Sequence, residues 1–338
     1  MNKKKDARKY CQEGRSATQQ NDLQRAIIYY TRAINLDKGR STYLLEMANA
    51  IGSRERHGSA CSLYKSVVAM DPKNALAYHN LGVALSKLGK TDESIETFKE
   101  VLLLDPDDAA GHHNLALLLS RKGKYEEAEQ HFLKALKQEP LNALIHYNFG
   151  VILEKLGKDD ESLEMYQKAL CLDPDYSDGH YNLAKMLTTK GKYKEALEHY
   201  SKVLELQPSD ASLVSNNVGC LYFVQGMFAK ASEEFQKSIS LAEKFTPAYC
   251  NMSLVLFCEN KPEEALRYFK DGMKTLDEDQ NKPETLKEMI ESCASKKTRF
   301  EAEFNSDEML NRERRALLRT MINGLTEIIN LLTQQRDQ

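Results

Sequence analysis

Apolar residues fall at helical spacing in two consecutive segments of the chain, and this pair of segments predicts a helix hairpin. In the first segment, 75–88, the apolar positions are Tyr78, Leu81, Val83, Leu85 and Leu88. The second segment carries its own apolar stripe at Ile95, Phe98, Val101 and Leu102. Gly89 separates the two segments, and Thr91 or an acidic neighbour is expected to cap the second helix. The sequence LDPDD should end that helix, because proline cannot continue it.

The hairpin pattern repeats along the chain with a period of 34 residues. Prolines show this period at Pro72, Pro106, Pro140, Pro174 and Pro208. Turn glycines show it at Gly89, Gly123, Gly157 and Gly191. A small residue followed four later by an aromatic extends the pattern outward, at Ala26/Tyr30, Ala60/Tyr64, Ser94/Phe98, Ala128/Phe132, Ser162/Tyr166, Ala196/Tyr200, Ala231/Phe235 and Ala265/Phe269. One interval, between Ala196 and Ala231, is 35 residues, which places an extra residue near Asp210 or Ala211.

Eight repeats are therefore predicted within residues 1–279. Their expected boundaries are 7–40, 41–74, 75–108, 109–142, 143–176, 177–210, 212–245 and 246–279. The first two repeats are weaker than the middle ones, and in repeat 41–74 SRERHG replaces the tight turn and its glycine is out of register. Repeat 212–245 has Glu243 in place of its terminal proline. A single hairpin cannot bury both of its faces, so neighbouring hairpins are expected to stack on one another.

The array resembles the tetratricopeptide repeat family. Repeat 75–108 supplies the family's pattern of aromatic, small and apolar positions at Tyr78, Leu81, Gly82, Leu85, Ser94, Phe98, Val101 and Pro106. The resemblance implies an all-α fold: a right-handed solenoid, or superhelix, of about eight helix hairpins with C-terminal capping helices. It also implies that the inner face of the first helices lines a groove that binds peptides.

The repeat pattern stops after residue 279, and residues 280–338 are expected to form a helical cap or an oligomerisation helix. A first helix is predicted over 280–300, with Pro283 in its first turn. The sequence FEAEFNSDE then predicts a loop, and Ser306 is expected to cap a final helix to about Leu332. The apolar stripe of this final helix is Leu318, Met321, Leu325, Ile328 and Leu332. A cap on the last hairpin is the favoured role, and a coiled-coil homodimer through 307–332 is the alternative.

Composition narrows the class of partner. The net charge of the 338 residues is only −3, which gives no indication of nucleic acid or of an anionic membrane as partner. No apolar stretch approaches the length of about 20 residues that a membrane span needs, so no membrane insertion is expected. The seven cysteines show no CxxC spacing and suggest reduced thiols, and we expect a cytoplasmic protein.

The histidines of the array are candidates for a metal site. His112, His146 and His180 recur every 34 residues, but successive stacked helices lie about 8–10 Å apart, too far for three imidazoles to share one zinc ion. We therefore expect these histidines to pack in the core. Phosphate-binding loops, nucleophile elbows and HExxH motifs are absent from the sequence, so we expect a non-enzymatic protein without metal or cofactor.

Asparagines recur at one offset of the first helices, on the face that the resemblance assigns to the groove. This asparagine ladder consists of Asn80, Asn114, Asn148, Asn182, Asn217 and Asn251, while the first two repeats have Gln12 and Glu46 at this offset. The carboxamides either bond neighbouring helices or offer donors and acceptors to the backbone of an extended peptide. The second interpretation resembles the repeat superhelix of the nucleocytoplasmic O-GlcNAc transferase, whose catalytic half has no counterpart here.

Basic residues accompany the ladder on the same face. They are Lys87, Arg121, Lys155 and Lys185, and they run beside Val83, Leu117 and Val151. Farther along, the groove is expected to turn apolar at Phe223, Leu254 and Phe257. The basic residues predict a partner with an extended and partly acidic segment. The carboxylate clamp that some family members use to hold chaperone tails is disfavoured, because Cys11 and Arg15 occupy its first positions.

These features together predict a protein–protein interaction adaptor or scaffold that binds an extended peptide in the groove. Two alternatives stay open. The chain could be a structural subunit whose groove holds a partner's helix or its own tail, or it could be the regulatory arm of an enzyme on another chain.

Overall fold

The computed structural model describes residues 3–276, 282–306 and 312–336, and the regular elements in these ranges are helices without any strand. The predicted all-α class is confirmed. The chain divides into two compact units, an N-terminal unit of residues 1–174 and a C-terminal unit of residues 175–338.

The N-terminal unit is a stack of helix hairpins in which each helix packs against the next. Its helices are α1 (Lys3–Gln19), α2 (Leu23–Leu36), α3 (Ser41–Gly52), α4 (His57–Met70), α5 (Ala75–Lys87), α6 (Thr91–Leu104), α7 (Ala109–Arg121), α8 (Tyr125–Gln138), α9 (Ala143–Lys155) and α10 (Asp159–Leu172). Odd-numbered helices are the first helices of their hairpins, and α3, α5, α7 and α9 also contact one another in sequence. The first helices of this unit therefore form one continuous layer.

The C-terminal unit continues the hairpin pattern and adds a pair of long helices. Its helices are α11 (Ser177–Thr189), α12 (Tyr193–Leu206), α13 (Ala211–Val224), α14 (Phe228–Leu241), α15 (Thr246–Cys258), α16 (Pro262–Leu276), α17 (Lys282–Ser306) and α18 (Arg312–Arg336). A short 3-10 helix, Pro208–Asp210, precedes α13. It lies where the spacing of 35 residues predicted one extra residue. The predicted repeat boundaries themselves stay a prediction.

Each hairpin turns at a residue in the left-handed region of backbone conformation. Gly89 has φ +73°, and the amide of Lys90 after it donates to the carbonyl of Leu85 at 3.0 Å, which closes the end of α5. The other turn glycines also have positive φ. Repeat 41–74 makes the same turn with Glu55 at φ +59°, a conformation that costs a residue with a Cβ about 1–2 kcal/mol. Thr91 is the first residue of α6 and not its cap, because the capping position is Lys90, which makes no side-chain cap bond.

The two helices of a hairpin pack closely where a small residue faces an aromatic ring. A Cβ added to Gly82 would lie 2.8 Å from Cε2 of Phe98, so only glycine fits this approach. Ser94 is fully buried and donates its hydroxyl to the carbonyl of Gly82 at 2.7 Å. The small residue and the aromatic of the sequence pattern thus set the distance between the two helices.

The C-terminal tail differs from its prediction. Phe300–Ser306, predicted as part of a loop, is the end of α17, and Ser306 is the last residue of that helix instead of the cap of the next. Phe300 is 2% exposed and packs in the core, and this contact stabilises the helical conformation of the segment. Residues 307 and 308 of the predicted loop lie outside the described residues. The final helix extends to Arg336, beyond the predicted Leu332.

Three residues of the predicted apolar stripe on α18 are fully buried. Leu325, Ile328 and Leu332 each have 0% exposure and belong to the core that α18 shares with α15. The side chains of Leu318 and Met321 lie outside the described residues. The stripe is therefore used within one chain, and a homodimer through it would require α18 to leave α15.

Candidate functional site

The ladder face is the side of the first helices that carries the asparagine ladder. In the N-terminal unit it consists of Asn80 on α5, Asn114 on α7 and Asn148 on α9, all half-buried. Each of these helices starts at a polar residue whose side chain accepts from a backbone amide of the first turn, namely Asn74, Asp108 and Asn142. Because capping fixes where each helix begins, the asparagines recur at the same height of successive hairpins.

The ladder carboxamides of the N-terminal unit bond to the array itself through their donors. Asn80 Nδ2 donates to Asn49 Oδ1 at 2.9 Å, and Asn148 Nδ2 lies 2.9 Å from Nε2 of His113. Asn114 instead donates to the carbonyl of Ala110 in its own helix, at 2.9 Å. Asn80 and Asn148 therefore connect neighbouring first helices. Among the described residues, no side chain or amide donates to Oδ1 of these three asparagines, so the acceptors are available.

The ladder asparagines of the C-terminal unit also form hydrogen bonds with other side chains of the array. Asn217 Nδ2 donates to the hydroxyl of Tyr181 at 3.0 Å, and Asn251 Nδ2 donates to Oδ1 of Asn216 at 2.8 Å. Asn182 lies half-buried on α11. Lys185 is exposed, and its Nζ lies 5.9 Å from the centroid of the Tyr181 ring.

Three of the predicted site residues meet at one small cavity in the N-terminal unit. This ladder cavity has a volume of about 170 Å³. It is lined by Val83, Ser86, Lys87, Phe98, Asn114, Leu117, Leu118 and Arg121. Ser86 was missed by sequence reasoning, although it precedes Lys87 directly; its hydroxyl accepts from Nη1 of Arg121 at 3.2 Å and so positions the guanidinium.

The charge at the ladder cavity is positive. Lys87 and Arg121 are exposed at its rim, and none of its lining residues is acidic. Lys155 is exposed at the same position of α9, beyond the cavity. Within the described ranges, these three cations form no ion pair with a carboxylate. The cavity therefore combines an apolar floor, a carboxamide acceptor and two unneutralised cations.

The ladder face of the C-terminal unit is apolar at the corresponding positions, and α17 and α18 cover it. Phe223 is 3% exposed, and its ring lies 6.4 Å from that of Phe300 on α17. Leu254 is 2% exposed, and a Cβ added to Gly324 on α18 would lie 3.1 Å from its Cδ1. Phe257 packs against the same core. The three residues are apolar, as expected, and here they pack with the chain's own tail in one core, which matches the alternative of a groove that holds its own tail.

The predicted core histidines are buried, as expected. His112, His146 and His180 are 4%, 8% and 9% exposed. His112 Nε2 lies 3.0 Å from the carbonyl of Pro106, which only a protonated Nε2 can satisfy. Nδ1 of His112 is then an acceptor in the neutral ring, and Nδ1 of His131, at 2.8 Å, donates to it.

Burial keeps this histidine pair neutral. The pKa of His131 is lowered to about 4, first by burial and then by the charges of His112 and Lys134. Burial also lowers the pKa of His112. The pair is thus a structural element with fixed tautomers. In the described part of the chain no group of three or more His, Cys, Asp or Glu side chains is arranged to hold a metal ion.

A search for membrane-spanning segments among the described helices finds none that is both long and apolar enough.

Comparison with known proteins identifies a family to which this chain is similar. Residues 4–214 match the family model described as the C-terminal domain of cilia and flagella-associated protein 70, a tetratricopeptide repeat domain. No curated protein sequence matches the chain.

Solved structures share the fold at low sequence identity. A tetratricopeptide repeat protein from Parabacteroides merdae is 17% identical, with a TM-score of 0.56 over 80% of this chain and 99% of that protein. PilF from Pseudomonas aeruginosa is 19% identical, with a TM-score of 0.51 over 63% of this chain and 97% of that protein. YrrB, described as having an unusual peptide-binding site, is 24% identical, with a TM-score of 0.49 over 55% of this chain and 95% of that protein. The first two of these matches concern the fold alone, and they confirm the predicted tetratricopeptide repeat fold.

Proposed function

The chain belongs to the family of the cilia and flagella-associated protein 70 C-terminal domain, a tetratricopeptide repeat family, and from this premise we propose that it is a non-enzymatic adaptor that binds an extended, partly acidic peptide on the ladder face of its N-terminal unit. Members of such families bind protein or peptide partners. The ladder cavity is the observation that carries the proposal, because it brings Asn114, Lys87 and Arg121 together over apolar side chains.

The chemistry of the cavity fits a peptide better than a small metabolite. A backbone N–H of the ligand can donate to Oδ1 of Asn114, and the next one can reach Asn148 on the following hairpin. A carboxylate of the ligand can meet the guanidinium of Arg121, which Ser86 already orients. A small apolar side chain can rest on Val83 and Leu117. An extended segment would satisfy these contacts in several hairpins at once.

Charge reversal at the cavity tests this proposal. The partner is first captured by affinity pull-down and identified by mass spectrometry, and the bound segment is then made as a peptide. The double variant Lys87→Glu/Arg121→Glu should weaken peptide binding at least tenfold, because two attractions become repulsions worth together about 1.4 kcal/mol or more. The salt dependence of the dissociation constant should also become flatter.

A matched control lies on a second helix. Lys134 and Lys137 on α8 are also exposed, and within the described ranges they form no ion pair with a carboxylate. The variant Lys134→Glu/Lys137→Glu changes the net charge by the same amount and should leave the dissociation constant unchanged. Equal loss of affinity in both variants would show that only bulk charge matters and that the ladder face is not the site.

Because the family name refers to cilia and flagella, ciliary extracts are the first source of partners to search, and we propose a cytoplasmic location that includes this compartment.

The burial of Phe223 and Leu254 by α17 and α18 favours a second candidate function for the C-terminal unit. There the ladder face holds the chain's own tail, so this unit acts as a structural part of an assembly and takes no exchangeable peptide while the tail is bound. A substitution at Gly324 that releases α18 should leave peptide binding by the N-terminal unit unchanged and should expose the apolar ladder face of the C-terminal unit to partners.

A further inference from the structure

The second helices of two consecutive hairpins of the N-terminal unit border a cavity that the adaptor function does not use. This second-helix cavity is lined by residues of α6, α7 and α8 and has a volume of about 580 Å³. None of its lining residues belongs to the ladder cavity, so the two are separate sites. A volume of this size is in the range of pockets that hold small molecules.

The wall of the second-helix cavity is mainly apolar. Its apolar side chains include Ile95, Leu102 and Leu103 of α6 and Leu115 and Leu119 of α7. Ile95, Leu115 and Leu119 are buried, whereas Leu103 is 74% exposed. A helix rises about 1.5 Å per residue, so the wall from Ile95 to Leu102 is about 10 Å long. A short hydrocarbon chain fits along this wall and would remove the exposed leucine from water.

The next pair of hairpins shows why this space is open and apolar. One repeat later, Glu129 occupies the position of Ile95 and pairs with Nζ of Lys158 at 2.6 Å. Lys124, the counterpart of Lys158, has no carboxylate at position 95 and pairs with Glu127 at 2.8 Å instead. The ion pair that links the two hairpins there is thus replaced by an apolar side chain in the second-helix cavity.

The charges of the lining leave one cation without a counter-charge. Three ion pairs use every acidic residue of the lining, and they are Lys99 with Glu96, Lys122 with Asp92, and Lys124 with Glu127. Lys134 also lines the cavity, and among the described residues no carboxylate pairs with it. Burial lowers the pKa of both histidines of the lining, His112 and His131, which are therefore neutral. The lining carries a surplus of one positive charge beside its apolar wall.

We propose that the second-helix cavity binds a medium-chain monocarboxylate, whose carboxylate meets the ammonium of Lys134 and whose hydrocarbon chain lies along Ile95 and Leu102. One negative charge balances the surplus of the lining. The apolar wall offers no hydrogen-bond partners to backbone amides, so an alkyl chain fits it better than a peptide does. The bound molecule would contact α6 and α8 and would thereby connect two consecutive hairpins.

Equilibrium dialysis of the full chain against radiolabelled octanoate tests the ligand class. We expect saturable binding of one octanoate per chain. Octylamine has the same chain with a cationic head, and 1-octanol has a neutral one. Each should compete about fivefold less well than unlabelled octanoate, the factor that an exposed ion pair of about 1 kcal/mol gives. Absence of saturable binding, or equal competition by all three compounds, would overturn the proposal.

A change at Ile95 tests the location. Ile95→Glu should weaken octanoate binding about tenfold or more, because it puts a second carboxylate into the apolar wall. The variant should fold, since the next hairpin has Glu129 at this position, and circular dichroism checks this. The control Leu133→Glu adds the same charge at an exposed residue of α8 outside the lining and should leave the dissociation constant unchanged. Equal losses in the two variants would place the octanoate elsewhere.

A change at Lys134 tests the position of the carboxylate. Lys134→Met keeps an apolar stem without the charge and should weaken octanoate binding about fivefold. Binding of 1-octanol, which has no charge, should stay the same. The control Lys137→Met removes an exposed cation of the same helix outside the lining and should change neither dissociation constant. If Lys134→Met binds octanoate as tightly as the unaltered protein, the carboxylate does not meet Lys134 and the proposal is wrong.

Discussion

At the scale of single residues, one histidine of the array lacks a partner that its two counterparts have. His146 Nε2 lies 2.9 Å from the carbonyl of Pro140, but its buried Nδ1 has no hydrogen-bond partner. In the hairpin before it, His131 fills this role for His112. The residue at the position of His131 in the His146 hairpin is Met165, which cannot donate a hydrogen bond.

Replacing this methionine should therefore stabilise the protein. We expect Met165→His to raise the free energy of unfolding by about 1 kcal/mol near pH 7.5, as measured by urea denaturation, because a buried acceptor gains its bond. The gain should shrink as the pH falls below about 6.5, the ordinary pKa of histidine. In the folded variant the pKa of the introduced histidine should be held low, as that of His131 is. As the pH falls, the unfolded chain therefore takes up a proton before the folded protein does, and this lowers the free energy of unfolding. The control Met165→Leu keeps the apolar contact without a donor and should show neither effect; a gain of the same size in both variants would mean that hydrogen bonding is not its cause.

At the scale of elements, stacking between hairpins rests on aromatic residues at the second helices. Phe132 on α8 has 0% exposure, and its ring stacks on that of Phe149 on α9, with centroids 5.7 Å apart and an angle of 21° between the planes. Phe132→Ala should lower the free energy of unfolding by about 3–5 kcal/mol, since it leaves a cavity between two hairpins. The neighbouring change Leu133→Ala, at a residue 47% exposed, should cost less than about 0.5 kcal/mol. Similar losses from both changes in denaturant unfolding would rule out a special role for Phe132 in stacking.

The hairpins could be predicted from the sequence because each one repeats the same local rules. Ser94, Phe98 and Gly89 each act within one hairpin or on the next one, so a pattern of fixed spacing contains most of the information. The partners of the ladder could not be predicted in this way. Asn148 reaches His113 on the preceding first helix, whereas Asn114 has His79 at that position and bonds to its own helix instead. Both positions hold a histidine, so the outcome depends on the side-chain conformations, which the periodicity does not specify.

The two helices of the tail are present, but the predicted loop between them was wrong over Phe300–Ser306, for a related reason. FEAEFNSDE is polar enough to suggest a loop, and nothing local marks Phe300 as a core residue. Its contact is Phe223, far away in sequence and brought close only by the folding of the C-terminal unit. Likewise, the stripe of α18 has the spacing of a dimer seam, and the same spacing serves equally well for packing on α15. Periodicity identifies an apolar face, and only the three-dimensional packing identifies what covers it.

At the scale of the whole molecule, the covered stripe of α18 predicts how the protein behaves in solution. Gly324 is a position of close approach between α18 and α15, since an added Cβ would lie 3.1 Å from Leu254 Cδ1 and 3.2 Å from Cys258 Sγ. A leucine at this position cannot fit without moving α18 away. Gly324→Leu should therefore expose the buried stripe together with Leu254, and exposed apolar surface of this kind promotes association.

Light scattering coupled to size exclusion can separate the two roles of the tail. If α18 caps its own chain, the unaltered protein elutes as a monomer and Gly324→Leu shifts it toward larger species. The adjacent change Asn323→Leu, at an exposed residue of the same helix, adds an equal side chain and should leave the elution unchanged. A dimeric unaltered protein that Gly324→Leu converts to monomers would instead identify the stripe as the interface between two copies. In that case the tail would cover the partner's ladder face, and peptide binding by the C-terminal unit would depend on protein concentration.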